Sequence, residues 1–200
     1  LKSEEFADLY ADNAEGHRDT GSEYVRETYI ESDLELMFPP TYIPNDSERI
    51  SLYRELDNME EERDILAFTE RLKDRFGKIP KEGKELIRIV RLRRMAKKLG
   101  MEKVVLKKGQ MSLFLVNNPD SPYYQSEAFG KLLGFIQKHP RECNLREQNG
   151  KRSIVIKNVP TVEAACGYLQ EMEKINQNRL LTHPLTNTKR YGKENDYRPF

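Results

Sequence analysis

The chain has 200 residues and a net charge of +1, with 37% hydrophobic and 34% charged residues. This balance argues against a general polyanion binder and indicates that part of the length is not packed core. No apolar run approaches the ~20 residues that a membrane-spanning helix needs. We therefore expect a soluble, cytoplasmic protein without membrane contact. The chain begins at Leu1, without Met, so we expect a piece of a longer protein.

The amino-terminal segment is acidic. Residues 1–35 hold eleven acids against Lys2, Arg18 and Arg26. Such a composition is typical of a linker or loosely held arm, which we place at residues 1–30. The apolar residues that follow alternate with polar ones and predict a strand that ends before Pro39: Leu34, Leu36 and Phe38.

Two helices are predicted between Pro40 and Pro80. Asn45 or Asp46 can cap the first, and Gly77 supplies the left-handed stop of the second. The first is expected to pack through Ile50, Leu52, Tyr53 and Leu56, and the second through Ile65, Leu66, Phe68, Leu72 and Phe76. Pro80 stands where a third helix begins.

The third helix, about 81–99, is strongly amphipathic. Its predicted core face is Leu86, Ile89, Leu92, Ala96 and Leu99. Its opposite face is a basic stripe made of Lys84, Arg88, Arg91, Arg94 and Lys98. The stripe is either a solvated face paired with neighbouring acids, which we favour, a patch for an acidic protein partner, or a phosphate-binding patch. Because no exposed aromatic residues lie between these cations, single-strand recognition by the stripe is not favoured.

The second half repeats a strand-strand-helix pattern. Residues 103–108 and 111–117 alternate around Gly109, and residues 143–148 and 152–157 flank Asn149-Gly150, a favoured hairpin turn. Helical spacing follows each hairpin, at 122–138 and 159–174. The predicted fold class is therefore α+β: a three-helix segment, then two strand-strand-helix units that form an antiparallel sheet with helices packed on one face. Residues 175–200 read as a basic polar tail.

Motifs for catalysis or metal binding are absent from the sequence. There is no GxxxxGK[ST] phosphate loop, GxGxxG, GxSxG or HExxH. Cys143 and Cys166 form no CxxC pair and are expected to be reduced thiols, and the three histidines are scattered. We expect no enzyme activity, cofactor or metal in these 200 residues.

The stretch from Tyr42 to Pro80 resembles the C-terminal domain of the bacterial transcription-repair coupling factors. The matching residues are Tyr42-Ile43-Pro44, Arg49, Tyr53, Asp74-Arg75-Phe76-Gly77 and Pro80. The similarity continues to Gly100 and more loosely to about Glu173, so 31–174 is the expected domain. These proteins are ATP-dependent DNA translocases that displace stalled RNA polymerase and recruit nucleotide excision repair. The resemblance implies that ATP and magnesium belong to motor domains outside this segment.

The resemblance also implies a regulatory role. In the family this domain docks on an amino-terminal module of the same protein and masks the repair-recruitment surface, so RNA polymerase and the damage-recognition ATPase are indirect partners. The expected interaction residues here are Glu70, Arg71, Asp74, Arg75 and Arg49. The family often has Glu where this chain has Arg71, so the ionic pattern differs. The alternative function is an accessory DNA-binding domain that uses the basic stripe.

Two local features remain open. A negative charge near a helix C-terminus is unfavourable, so Asp74 would gain from an external cation. Arg49 and Tyr53 lie one helical turn apart and could form a small exposed stacking surface. We favour the alternative, in which Tyr53 packs against Tyr42 and Arg49 pairs with a neighbouring acid.

Overall fold

The computed structural model describes residues 24–175. Residues 1–23 of the acidic arm predicted at 1–30, and the basic tail from residue 176, lie outside the described residues. Residues 24–30 of that arm join the fold, since Val25 is buried and the first strand begins at Tyr29. In chain order the elements are β1 (Tyr29–Ser32), α1 (Asp46–Asp57), α2 (Glu62–Phe76), α3 (Lys81–Lys98), β2 (Met101–Lys107), β3 (Gln110–Leu115), a short 3₁₀ turn (Pro122–Gln125), α4 (Glu127–Lys138), β4 (Cys143–Gln148), β5 (Lys151–Lys157) and α5 (Val162–Glu173). None of the helices in this part of the chain is long and apolar enough to cross a membrane.

The five strands form one sheet in the order β1-β2-β3-β5-β4. The predicted α+β class and its two strand-strand-helix units are confirmed. The structure adds one parallel pair, β1 with β2, to the antiparallel pairs. The strand predicted at Leu34–Phe38 is wrong, because the strand ends at Ser32. Leu34 and Leu36 pack against the sheet core without strand pairing, whereas Phe38 is buried in the helical core.

Both hairpins turn where the sequence predicts. Lys108 and Gly109 have φ of 52° and 67°, and Asn149 and Gly150 have 53° and 72°. Two successive positive φ values are the pattern of a type I′ turn, whose twist matches that of the flanking strands. The hairpins therefore fix the register of β2 with β3 and of β4 with β5.

Helix α3 lies between two hydrophobic cores. Ile87 and Val90 enter the helical core formed with α1 and α2, whereas Leu92 and Ala96 enter the sheet core. The predicted core face of this helix is thus divided, since Leu86 packs on the helical side and Ile89 on the sheet side. Because α3 packs against a core on each side, only a narrow strip of its surface is accessible to solvent, and its cations lie along that strip.

Several predicted details need correction. Ile50 and Leu66 were expected in the core but are 50% and 53% exposed. Each is adjacent to the buried stripe of its helix, which Leu52 and Leu56 or Ile65 and Phe68 already fill. The helix expected at 122–138 is interrupted at Ser126, whose side chain caps α4 by accepting from the Phe129 amide at 3.2 Å.

The two thiols are free and buried, as expected. Burial raises the pKa of both Cys143 and Cys166 to about 11, because the thiolate loses its hydration in the core. Both thiols therefore stay protonated near neutral pH.

Candidate protein-docking site

The C-terminal end of α2 is fixed by its turn and by an aromatic anchor. Gly77 has a φ of 82°, and its amide donates to the Lys73 carbonyl at 2.8 Å. The Tyr42 hydroxyl donates toward the carbonyls of Leu72 and Gly77, at 3.2 and 3.0 Å. These contacts satisfy carbonyl groups that a helix end leaves open, and they hold the Asp74–Gly77 turn against the start of the helical segment.

Most charged side chains around this turn are already engaged. Glu70 accepts from Lys73 Nζ at 2.6 Å. Arg71 pairs with Glu55 of α1 and lies over the Phe68 ring, 5.5 Å from its centroid. Arg75 pairs with Glu48 of α1 at 2.5 Å and lies 5.0 Å from the Phe76 centroid. The Arg71–Glu55 and Arg75–Glu48 pairs tie α2 to α1.

Asp74 differs from its neighbours. Its side chain is exposed and makes no hydrogen bond or ion pair within residues 24–175. The carboxylate lies in the last turn of α2, where the helix dipole disfavours a negative charge. An ionised carboxylate in this position can accept a bidentate hydrogen bond from an incoming arginine. Among the predicted interaction residues, Asp74 alone combines exposure with the absence of such a partner in the described part.

Arg49 is placed differently. Its side chain is 15% exposed, donates to the carbonyls of Ile43 and Pro44 at 2.5 and 3.2 Å, and pairs with Asp46. Arg49 therefore closes the loop before α1, consistent with the alternative in which it pairs with a neighbouring acid. The expected packing of Tyr53 on Tyr42 is wrong, because Tyr53 stacks on Phe38 with ring centroids 5.5 Å apart.

The basic stripe of α3 is largely paired within the domain. Arg91 and Arg94 both bind Glu62 of α2, at 2.7 and 3.0 Å. Arg88 bridges Glu85 and Glu163, each at 2.8 Å. Lys84 and Lys98 are exposed and have no ion pair among the described residues. The structure therefore does not bring the five cations together as a free surface.

Sequence reasoning did not identify which acid engages which cation of α2 and α3. Glu48 and Glu55 come from α1, and Glu62 opens α2. Glu85 is buried on α3 and accepts from the Val162 amide at 2.6 Å. Glu55 and Glu62 belong to the acids that the sequence places near the stripe, but Glu55 engages Arg71 of α2, whereas Glu62 engages Arg91 and Arg94. The other pairings depend on how the helices pack, and nothing in their local spacing indicates them.

Comparison with known proteins identifies the same region. A model of the TRCF domain family matches residues 32–126. The transcription-repair-coupling factor of Escherichia coli (strain K12) is 30% identical over 121 residues, which are 60% of this chain and 10% of that protein. The corresponding protein of Rickettsia prowazekii (strain Madrid E) is 26% identical over 135 residues, or 66% of this chain and 11% of that protein. The chain thus spans about a tenth of these relatives.

A solved structure shares the fold. The crystal structure of the C-terminal domain of transcription-repair coupling factor superposes with a TM-score of 0.60, covering 76% of this chain and 96% of that one. The sequence identity is 15%, so this likeness shows the fold alone. The resemblance inferred from Tyr42 to Pro80 is confirmed by the family model, the relatives and the fold.

Proposed function

We propose that this chain, whose residues 32–126 form a TRCF domain, is a non-catalytic regulatory domain. It docks on an amino-terminal module of the same coupling factor and masks the surface that recruits repair proteins. The whole protein is then a DNA translocase that acts on stalled RNA polymerase. Docking prevents it from recruiting repair proteins until the motor has bound polymerase and DNA.

One observation carries this proposal. Asp74 is exposed at an unfavourable end of α2, while Glu70, Arg71 and Arg75 beside it are engaged within the domain. A partner cation would relieve the dipole cost and gain a charge-assisted hydrogen bond. The Tyr42 hydroxyl holds the turn through the Leu72 and Gly77 carbonyls, which supports a preorganised contact, because little backbone freedom is then lost on docking.

A polar contact of this kind suits a releasable clamp. An exposed ion pair contributes roughly 0.2–1 kcal/mol, so a few such pairs hold a docked state that a competing partner can displace. A large apolar interface would not release so readily. Arg71 is already paired with Glu55, so it is not available to bind an acid of the partner. The surface around Asp74 is therefore expected to select a partner that offers a cation.

The test is binding in trans between this chain and the separately expressed amino-terminal module, measured by calorimetry at low salt. We expect measurable binding that Asp74→Ala weakens severalfold. Asp64→Ala is the matched control, because Asp64 is an exposed acid in the first turn of the same helix. Absence of binding, or equal effects of the two substitutions, would remove the proposal.

The alternative, DNA binding through the α3 stripe, has weaker support. Three of its five cations are held by Glu62, Glu85 and Glu163. Releasing them for phosphate contact would break pairs that join α3 to α2 and α5. Only Lys84 and Lys98 are left for such contact.

A further inference from the structure

The face of the sheet opposite the helices carries a row of side chains that the docking proposal does not use. Tyr29, Lys103, Phe114, Ser153 and Arg146 are register partners on five neighbouring strands. They alternate along the strands with residues that pack into the sheet core, such as Val104, Leu113 and Ile154. The row therefore lies on the outer face.

This outer face is strongly basic. Its strand residues include five cations, Lys103, Lys107, Arg146, Lys151 and Lys157, against two carboxylates, Glu31 and Glu102. Lys103 and Lys107 pair with Glu31. Arg146, Lys151 and Lys157 have no ion pair within residues 24–175. The excess of positive charge attracts a polyanion.

The same face presents aromatic rings. Tyr29 is 67% exposed, and Phe114 is half-buried on the second strand along. Strand spacing puts the two backbones about 10 Å apart, with Lys103 between them, so each ring has space for its own planar group. In the middle of the face Ser153 and Val155 are buried, so the accessible part is the β1–β3 side.

A recess opens at that side. It has a volume of about 610 Å³ and is lined by Tyr29, Phe114 and Asn117. This volume falls within the range of about 300–1,000 Å³ typical of small-ligand sites. Its charged lining residues are Arg26, Lys103 and Lys151 against Glu27 and Glu102, which leaves an excess of one positive charge. Asn117 offers an amide that can donate and accept hydrogen bonds, which suits the polar edge of a base.

We propose that this recess, the sheet recess, binds single-stranded nucleic acid, with bases stacked on Tyr29 and Phe114 and phosphates held by Lys151, which has no ion pair among the described residues. Exposed aromatic rings interleaved with cations on an open sheet are the features by which proteins bind single strands. In a duplex the base faces are stacked on one another, so a duplex can make only the phosphate contacts with the lysine side chains. The α3 stripe has cations without such rings, which is why the sheet and not the helix is the favoured nucleic-acid surface. The site does not involve Asp74, so it stands or falls separately from docking.

The test is fluorescence anisotropy of the 200-residue chain with a labelled oligothymidine strand of twelve nucleotides in low salt. We expect saturable binding that is stronger than binding to a duplex of the same length. Tyr29→Ala should weaken it at least ~5-fold, the lower end of base-stacking losses, while Tyr29→Phe retains it. Lys151→Glu should weaken it and reduce its dependence on salt. Lys78→Glu, the same charge reversal at an exposed loop between α2 and α3, should leave it unchanged.

Four results would overturn the inference. They are absence of binding in low salt, a duplex that binds as well as the single strand, insensitivity to Tyr29→Ala, and displacement of the strand by polyglutamate at equal charge. The last result would assign the recess to an acidic peptide.

Discussion

Glu85 Oε2 accepts a hydrogen bond from the backbone N–H of Val162 at 2.6 Å, across 77 positions of sequence. Val162 is the first residue of α5, so a side chain of α3 supplies a partner for one of the open amides of that helix. Thr161 accepts from the Ala164 amide at 3.0 Å, which satisfies a second. The start of α5 is therefore capped from two directions, and α3 is locked to the strand-strand-helix part.

Removing this buried acceptor should destabilise the domain. We expect Glu85→Ala to lower the free energy of unfolding by about 1.5–3 kcal/mol, the usual contribution of a hydrogen bond to a charged group. Glu85→Gln should cost less, because the amide oxygen can still accept. Urea unfolding followed by circular dichroism measures both, with Glu82→Ala in the same helix as control. Equal effects of Glu82→Ala and Glu85→Ala would contradict this role.

Gly100 should tolerate no side chain. Its φ is 73°, and a Cβ there would lie 2.2 Å from Cε2 of Tyr123, whose hydroxyl donates to the Leu99 carbonyl at 2.8 Å. Gly109 has a φ of 67° with open space around it, so Gly109→Ala isolates the backbone strain of about 1–2 kcal/mol. Gly100→Ala should cost a further 1–3 kcal/mol or so from the clash. Thermal unfolding of the two variants gives the difference, and similar midpoints would refute the close contact.

The contribution of Glu31 on β1 to folding stability should decrease at low pH. Hydrogen bonds from Lys103 and Lys107 hold the pKa of Glu31 at about 2, below its ordinary 4.5, because they favour the ionised carboxylate. A lowered folded-state pKa contributes stability above the unfolded value, and this contribution is lost as pH falls from about 4.5 towards 2. Since Glu31 is solvent-accessible, the effect is small.

The measurement compares urea midpoints of the parent chain and Glu31→Gln at pH 6 and pH 3. We expect Glu31→Gln to be less stable at pH 6 and the gap to narrow at pH 3. Glu35→Gln, an exposed acid just after β1, is the control. A gap of the same size at both pH values would show that the charge of Glu31 is not responsible.

Local chemistry made much of the fold predictable. Asn45 caps α1 by accepting from the Glu48 amide at 3.0 Å, Gly77 stops α2, and Asn149-Gly150 turns a hairpin, each as its residue type predicts. These features depend on backbone groups within a few residues, so the sequence reports them directly. The motif residues between Tyr42 and Pro80 also allowed the family resemblance to be predicted from the sequence.

Features that depend on distant partners were not predictable. β1 is only four residues long and pairs in parallel with β2 across more than 70 positions, so the alternation at Leu34–Phe38 was the stronger local signal. The burial of Glu85 arises because α3 packs between two cores, which its periodicity does not reveal. The pairing of Arg91 and Arg94 with one acid, Glu62, likewise follows from the packing of α2 on α3. Of the residues predicted for the docking site, Asp74 is the one that is exposed and has no ion pair within residues 24–175.

The most direct test of masking uses the full-length coupling factor. The affinity of the repair protein whose recruitment we propose this domain masks is measured by pull-down or calorimetry, without DNA, for the parent protein, for Asp74→Ala and for the control Asp64→Ala. The account predicts severalfold tighter binding for Asp74→Ala alone, because loss of the docking contact exposes the recruitment surface. Unchanged affinity for Asp74→Ala, with the docking module intact, would contradict it.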